Sequence, residues 1–279
     1  MLELVIRGVR LGFSCAPEVE MSKTDFSRAL GSAFEERCPG LKLFVYDTID
    51  STSSEAKRYA SQGGSQEAVF IAREQTSGRG RLGRSFLSSE GGLYLSYLFY
   101  PDIKPADAIM ITVYTAVCLA EIIEELTPLD VGIKWVNDLI VGGKKLCGIL
   151  TEGAFTDDGE RFKYAVVGVG LNVRRIAFPD GLSDIATDIE TECGSIIDIS
   201  EISTRLAQRL AGFKKTNPAE YMDKYRSRSV LIGKRVRVER AEKSYYATVT
   251  AIEDDASLSV VTDDGREENI YTGEVSVRL

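Results

Sequence analysis

The sequence predicts an α+β fold, a mixed β-sheet covered by helices, with a small β-barrel appended at its C-terminal end. Three observations point there. From residue 41 onward, short apolar runs of strand character alternate with amphipathic helical segments. A Gly142-Gly143 pair joins two β-rich runs and signals a hairpin, so the sheet is not all parallel. After residue 228 the helical periodicity stops, and short alternating runs broken by polar turns such as Asp263-Asp264-Gly265 take over.

Taken in order, residues 1–40 read as an N-terminal extension with one helix. Over 22–37 the apolar residues Phe26, Ala29, Leu30, Ala33 and Phe34 recur at helical spacing, and Cys38-Pro39-Gly40 ends the pattern. Met21 is a candidate natural start within this extension. Residues 41–228 form the main domain, with strands expected at 42–46, 68–73, 93–99, 131–135, 139–141, 145–151 and 164–171. Helices are expected at 52–62, where Thr52-x-x-Glu55 fits a capping box, and at 106–126, 200–215 and 218–228. The last opens with Asn217 as cap, Pro218 at the first position and Glu220 at the third. Residues 229–279 form the barrel, with strands at 235–240, 245–252, 258–261 and 268–271.

Composition excludes several functions. A chain of 279 residues with 44% hydrophobic content buries one large core and a small satellite. Lys and Arg number 34 against 42 Asp and Glu, a net charge of −8 that argues against a surface built for duplex nucleic acid or anionic lipid. Histidine is absent, which removes Ser-His-Asp and Cys-His catalysis and histidine-bound zinc. Any chemistry must rest on Lys, Arg, Asp, Glu, Asn or the backbone. The five cysteines are odd in number and scattered, with no Cys-x-x-Cys, and read as reduced thiols of a cytoplasmic protein; Cys147, among apolar neighbours, reads as core. The longest uncharged run, 108–120, is too short to span a bilayer and continues into Glu121 and Glu124, so it reads as a core helix. Glu3, Arg7 and Arg10 interrupt the apolar N-terminus, which does not read as a signal peptide.

The segment Gly78-Arg79-Gly80-Arg81-Leu82-Gly83-Arg84 packs three arginines and three glycines into seven residues. It brings fixed positive charge and bare backbone N–H groups up to an anion. Its glycines fit the dinucleotide fingerprint, and with Arg84 for Lys it imitates a Walker A loop. Both devices need a helix to start at the loop, whereas residues 85–92 lead into another strand. The remaining readings are a solvated loop, an Arg-Gly RNA-binding segment, which suits longer tracts and basic chains, and an anion site. A second cluster, Lys134-Trp135-Val136-Asn137-Asp138, closes a strand, and Lys145 follows Asp138 by seven residues across the hairpin. Alone, Lys134 and Asp138 read as a salt-bridged strand end. A third segment, Gly168-Val169-Gly170-Leu171-Asn172, alternates glycines along a strand and leaves space for a ligand.

With Asp50-Ser51-Thr52 and Gln75, these segments resemble the biotin-protein ligase family, also called biotin-[acetyl-CoA-carboxylase] ligases. The family's Gly-Arg-Gly-Arg-x-Gly-Arg loop matches Gly78 to Arg84, its Lys-Trp-Pro-Asn-Asp matches Lys134 to Asp138, and its Lys-Leu-x-Gly-Ile-Leu matches Lys145 to Leu150. Order and spacing agree from about residue 41 to 279, including Gly273-Glu274-Val275-Ser276-Val277-Arg278. The sequence departs at Val136, where the family has Pro, and at Ser53, where many members have Asn. Regulatory members carry a winged helix-turn-helix; about forty preceding residues with one helix are too few for it, so DNA is not an expected partner, nor is a membrane.

The resemblance implies a class II synthetase-like catalytic domain with an SH3-like barrel, and two steps. Biotin carboxylate attacks the α-phosphate of ATP to give biotinyl-5′-AMP and pyrophosphate, and a lysine of a biotin carboxyl carrier protein then displaces AMP. It assigns phosphate and carboxylate neutralisation to Arg79, Arg81 and Arg84, the biotin carboxylate and acyl-phosphate oxygen to Lys145, and a phosphate contact to Lys134. Ser51, Thr52 and Gln75 would bind the biotin ring, with Gly78, Gly148, Gly168 and Gly170 giving backbone contact and room, and Asn172 at the end of the glycine strand. Asn137 and Asp138 would hold Mg²⁺, or Asp138 would receive the acceptor ammonium. Arg278 is the barrel's best candidate for a nucleotide or acceptor contact. Trp135 and Phe86 either stack on adenine, cover biotin or belong to the core. The like charges of the arginine loop should repel one another until an anion closes the loop. A homodimer is an option within the family. A lipoate or octanoyl ligase of the same superfamily and a non-catalytic biotin-binding protein are the alternatives.

Overall fold

In the computed structural model, residues 23–240, 243–271 and 274–276 are described, and the statements below concern them. Met21 lies outside the described residues. The chain runs through α1 (Lys23–Arg37), β1 (Lys42–Ile49), α2 (Thr52–Ser61), β2 (Ala68–Gln75), β3 (Gly92–Phe99), α3 (Ala108–Leu126), β4 (Gly132–Lys134), β5 (Asp138–Val141), β6 (Lys144–Phe155) and β7 (Phe162–Asn172). It continues through α4 (Ile189–Cys193), α5 (Ile199–Ala211), α6 (Pro218–Ser227), β8 (Arg235–Arg240), β9 (Lys243–Ile252), β10 (Leu258–Thr262), β11 (Glu267–Ile270) and β12 (Glu274–Ser276).

Seven strands make one mixed sheet in the order β1-β2-β3-β7-β6-β5-β4, parallel only between β1 and β2, where α2 makes the crossover. Along β3, β6 and β7 the odd-numbered residues Leu95, Tyr97, Ile149, Val167 and Val169 join the main core with α1, α3 and α5. The even-numbered Leu98 and Val166 pack with Ala56 of α2 and Phe70 of β2 in a second cluster on the opposite face. The same even register carries Ser96, Gly148, Leu150, Gly168 and Gly170, so the helix-poor face is where a cavity can form. Thr151 confirms the register, its hydroxyl lying 2.7 Å from that of Thr112 in α3.

α3 owes its apolar composition to the core: twelve of its residues are buried. With the preceding turn, Pro105–Leu126 is long and apolar enough to cross a membrane by length and composition, yet 67% of the apolar window is buried inside the protein.

Five further strands form a second, antiparallel sheet in the order β11-β10-β9-β8-β12. Hydrogen bonds join it to the first unit: Trp135 Nε1 donates to Ala256 O at 2.8 Å and Arg226 Nε to Ile252 O at 2.7 Å.

The structure corrects several sequence expectations. The capping box does not form at Thr52, because α2 is capped by Ser51, whose side chain accepts from Ser54 N, while Glu55 bonds Arg58. Asp50 accepts from Ser51 N at 2.8 Å and holds the chain extended one residue earlier than the box requires. The helices expected at 106–126 and 200–215 each include a separate 3-10 turn, Pro105–Asp107 before α3 and Phe213–Lys215 after Gly212. β6 and β7 run on to 12 and 11 residues. α4 was not expected, although Asp188 caps it by accepting from Thr191 N and Gly194 closes it at φ 70°.

Burial raises the thiols of Cys38 and Cys147, and pushes that of Cys118 up to about 12. Iodoacetamide at pH 8 is therefore expected to leave these three unmodified in the native protein and to alkylate them in urea. Peptide mass mapping checks this, and rapid native labelling of Cys147 would contradict it.

Candidate active site

The polar wall of the cavity starts at α2. Its cap places the Thr52 backbone N–H 2.8 Å and its hydroxyl 3.1 Å from Gln75 Oε1. The Gln75 amide donates to Ser88 Oγ at 2.9 Å, and Ser88 donates to Phe86 O. Beneath them Ser96, fully buried, lies 2.8 Å from the Thr52 hydroxyl and 2.9 Å from that of Ser53. Sequence reasoning missed Ser96 and Ser88; a lone small polar residue among the aliphatic and aromatic side chains of Leu93 to Phe99 was the available signal for Ser96.

The arginine loop is an arch closed by its own backbone. Phe86 N donates to Gly78 O at 2.9 Å, Gly80 N to Arg84 O at 2.7 Å and Arg84 N to Arg81 O at 3.1 Å. At its tip Leu82 and Gly83 take positive φ. Two of the loop's charges are parted onto separate acceptors, one on strand β6 and one in the β4–β5 turn. Arg79 pairs with Glu152 at 2.9 Å and Arg81 Nη1 donates to Asn137 Oδ1 at 3.1 Å.

Lys145 owes its direction to a bulge. The β5–β6 register shifts between Leu139 and Ile140, opposite Cys147 and Lys145, so Leu146 is an extra residue. Leu146 and Cys147 both enter the core, and Lys145 turns to the face shared with Gly148. Its ammonium lies 2.7 Å from Asp138 Oδ1. That oxygen is buried and receives no aligned hydrogen bond, so the contact is an ion pair approached off the lone-pair direction. Lys134 stands opposite Asp138 in the β4–β5 register.

A cavity of about 380 Å³ collects these groups: Ser51, Thr52, Gln75, Arg79, Arg81, Arg84, Lys134, Asn137, Asp138, Lys145, Gly148, Gly168 and Gly170, with Glu239 from β8. Five cations against the carboxylates of Asp138 and Glu239 make it a site for an anion. A wider groove of about 810 Å³ shares Arg84, Lys134, Asp138 and Lys145 and adds apolar walls from Phe178, Leu182 and Ile185. It is larger, yet the catalytic types converge in the smaller hollow.

Some expected site residues serve other ends here. The space left by Gly170 is taken by the Phe86 ring, 2.6 Å from a Cβ added there, and that left by Gly148 is shared by the Lys145 side chain and the Phe86 ring, each 3.2 Å from such a Cβ. The space at Gly168 is taken by Ser53 Oγ, 2.4 Å from such a Cβ. These glycines thus make room for the protein's own side chains. Gly78 borders Ser88 and Phe86 O and supports the loop. Asn172 is buried and donates to Thr187 O at 2.9 Å, pinning the segment whose Ile185 and Thr187 bond the backbone of Lys145. Trp135 is buried, its N–H committed to Ala256 O, and the Trp135–Val136 peptide is cis. Asn137 uses both ends of its amide, accepting from Arg81 and donating to Ile149 O. Among the described residues no three metal-ligating side chains cluster. Asp138, whose buried oxygen receives no hydrogen bond, and Asn137, whose amide oxygen accepts once from Arg81 and keeps a second lone pair, offer the oxygen donors that a magnesium ion takes beside phosphate oxygens and water. Arg278 lies outside the described residues.

Comparison with known proteins agrees in extent. Residues 45–172 match the model of the biotin/lipoate A/B protein ligase family, and residues 231–278 match that of the biotin protein ligase C terminal domain. The chain is 30% identical over 245 residues to the bifunctional ligase/repressor BirA of Bacillus subtilis, covering 85% of this chain and 74% of that protein. It is 30% identical over 212 residues to the biotin–[acetyl-CoA-carboxylase] ligase of Mycobacterium tuberculosis, covering 71% and 74%. The structure of a biotin protein ligase from Aquifex aeolicus in complex with biotin and ATP superposes with a TM-score of 0.70 at 28% identity, over 85% of this chain and 98% of that one.

Proposed function

This chain belongs to the biotin/lipoate A/B protein ligase family, and from that premise we propose that it activates biotin with ATP as biotinyl-5′-AMP and transfers it to a lysine of a biotin carboxyl carrier protein. The observation that carries the reading is the convergence of Arg79, Arg81, Arg84, Lys134 and Lys145 on one cavity that the Ser51-Thr52-Gln75 polar array also lines.

In the first step the carboxylate oxygen forms a bond to the α-phosphorus as the bond to the pyrophosphate oxygen breaks. Both reactants are anions, so lowering their repulsion is most of the task, and no general base is needed. Arg81, fixed on Asn137, and Arg84 face the phosphates, while Lys145 reaches the carboxylate and then the acyl-phosphate oxygen. Mg²⁺ carried with the nucleotide would supply further neutralisation, and Asn137 and, in this step, Asp138 are the residues that would hold it. In the second step the acceptor amine attacks the acyl carbon, AMP leaves, and Asp138 accepts the ammonium proton. Ser51, Thr52 and Gln75 offer donors and acceptors to the ureido ring, held by Ser96 and Ser88 beneath them. Residues 41–228 form the catalytic unit and 229–279 a C-terminal unit in this reading, and the buried unpaired thiols support a cytoplasmic setting.

The test offers the protein ATP, Mg²⁺ and a carrier domain with either biotin or lipoate. A mass gain of one biotinyl group on the carrier, dependent on ATP, is the expected result. Modification by lipoate in preference to biotin, or biotin binding without any transfer, would overturn it.

A further inference from the structure

Arg79, one of the five cations of the cavity, ends in a charge cluster with Glu152 and Lys57, two residues with no part in the steps above. Glu152 lies on β6, two and four residues beyond Leu150 and Gly148 of the cavity floor and on the same face. Its Oε1 is 2.9 Å from Arg79 Nη2 and 3.0 Å from Lys57 Nζ, while its buried Oε2 has no hydrogen-bond partner. Two cations therefore share one carboxylate oxygen and repel each other across it. They are not equally anchored: Lys57 projects from helix α2 and is 24% exposed, whereas Arg79 rides on the loop and is 46% exposed.

We propose that Glu152 is a positioning residue: it holds Arg79 in the resting loop and releases it to the anionic substrate, while Lys57 stays behind as counter-ion. The nature of the anion rests on the ligase reading above. Without Lys57, releasing Arg79 would strand a largely buried carboxylate, a costly state. With Lys57 the carboxylate remains paired, and the repulsion between the two cations favours departure of the mobile one. Until then the guanidinium is half-neutralised and attracts an anion less strongly than a bare one.

The two partners of Arg79 predict effects of opposite sign. In Glu152→Gln the resting pair is weakened, and biotin is expected to bind about two- to fivefold tighter, the scale of one partly exposed ion pair, with KM lowered and kcat unchanged. In Lys57→Met the Arg79–Glu152 pair is strengthened, and biotin should bind about two- to fivefold more weakly. Glu152→Asp should retain wild-type constants, and Glu152→Gln should have no effect when Arg79 is already Ala. Tryptic cleavage after Arg81 and Arg84 without substrate should be faster in Glu152→Gln and slower in Lys57→Met, a readout that stands even if biotin is not the ligand. Shifts of the same sign in both variants, no shift in either, or an effect of Glu152→Gln that persists in Arg79→Ala would overturn the proposal.

Discussion

Lys145→Ala is expected to slow biotinyl-5′-AMP formation by about 100- to 1000-fold, the scale of removing one fixed group that stabilises developing charge. Two effects add. The ammonium that the β6 bulge aims at the cavity is lost, and the carboxylate of Asp138, 2.7 Å away, becomes an uncompensated anion where two further anions must meet. The second effect can be separated by experiment: Lys145→Ala combined with Asp138→Asn should recover part of the lost substrate affinity but little of the rate. Asp138 Oδ1 is buried, so the stranded carboxylate should also lower stability, by about 1–3 kcal/mol. Pyrophosphate release in a single turnover measures the rate and thermal unfolding the stability. Near-normal adenylate formation in Lys145→Ala would show that this cation is not at the reacting atoms.

Gly78→Ala should rival it although no charge is touched. A Cβ there would sit 2.4 Å from the backbone oxygen of Phe86 and 2.3 Å from Ser88 Oγ. A side chain can turn away, but that oxygen belongs to the residue whose N–H closes the loop on Gly78 O at 2.9 Å. The arch must open, and with it move Ser88, Gln75 and the contact that orients Thr52. A displacement near 1 Å costs about 100-fold in rate, so adenylate formation is expected to fall by about that factor or more. The control is Gly31→Ala in α1, where an added Cβ meets nothing within 4 Å. It should keep full activity and gain up to about 1 kcal/mol of helix stability. Equal activity in both variants would contradict the close packing at the loop base.

Much of this arrangement was legible because its signals are local. The Gly142-Gly143 hairpin, the Asn217-Pro218 start of α6 and the failure of the arginine loop to open a helix are written within a few residues each. The missing parts depend on contacts distant in sequence. Arg79 and Glu152 are 73 residues apart and Thr52 and Ser96 are 44 apart, and no periodicity relates them. The glycines of β6 and β7 announced empty space, but that Phe86 and Ser53 would fill it depends on how the loop and α2 settle on the sheet. The bulge that turns Lys145 toward Asp138 was equally hidden, because strict alternation places Lys145 on the wrong face.

The chain has a single tryptophan, and Trp135 is wedged where the two sheets meet, its indole N–H fastened to Ala256 O at 2.8 Å. Emission from the native protein is therefore an optical gauge of that one joint. A shift to longer wavelength in mild denaturant, before far-ultraviolet circular dichroism changes, would report the C-terminal strands lifting away while the main sheet remains intact.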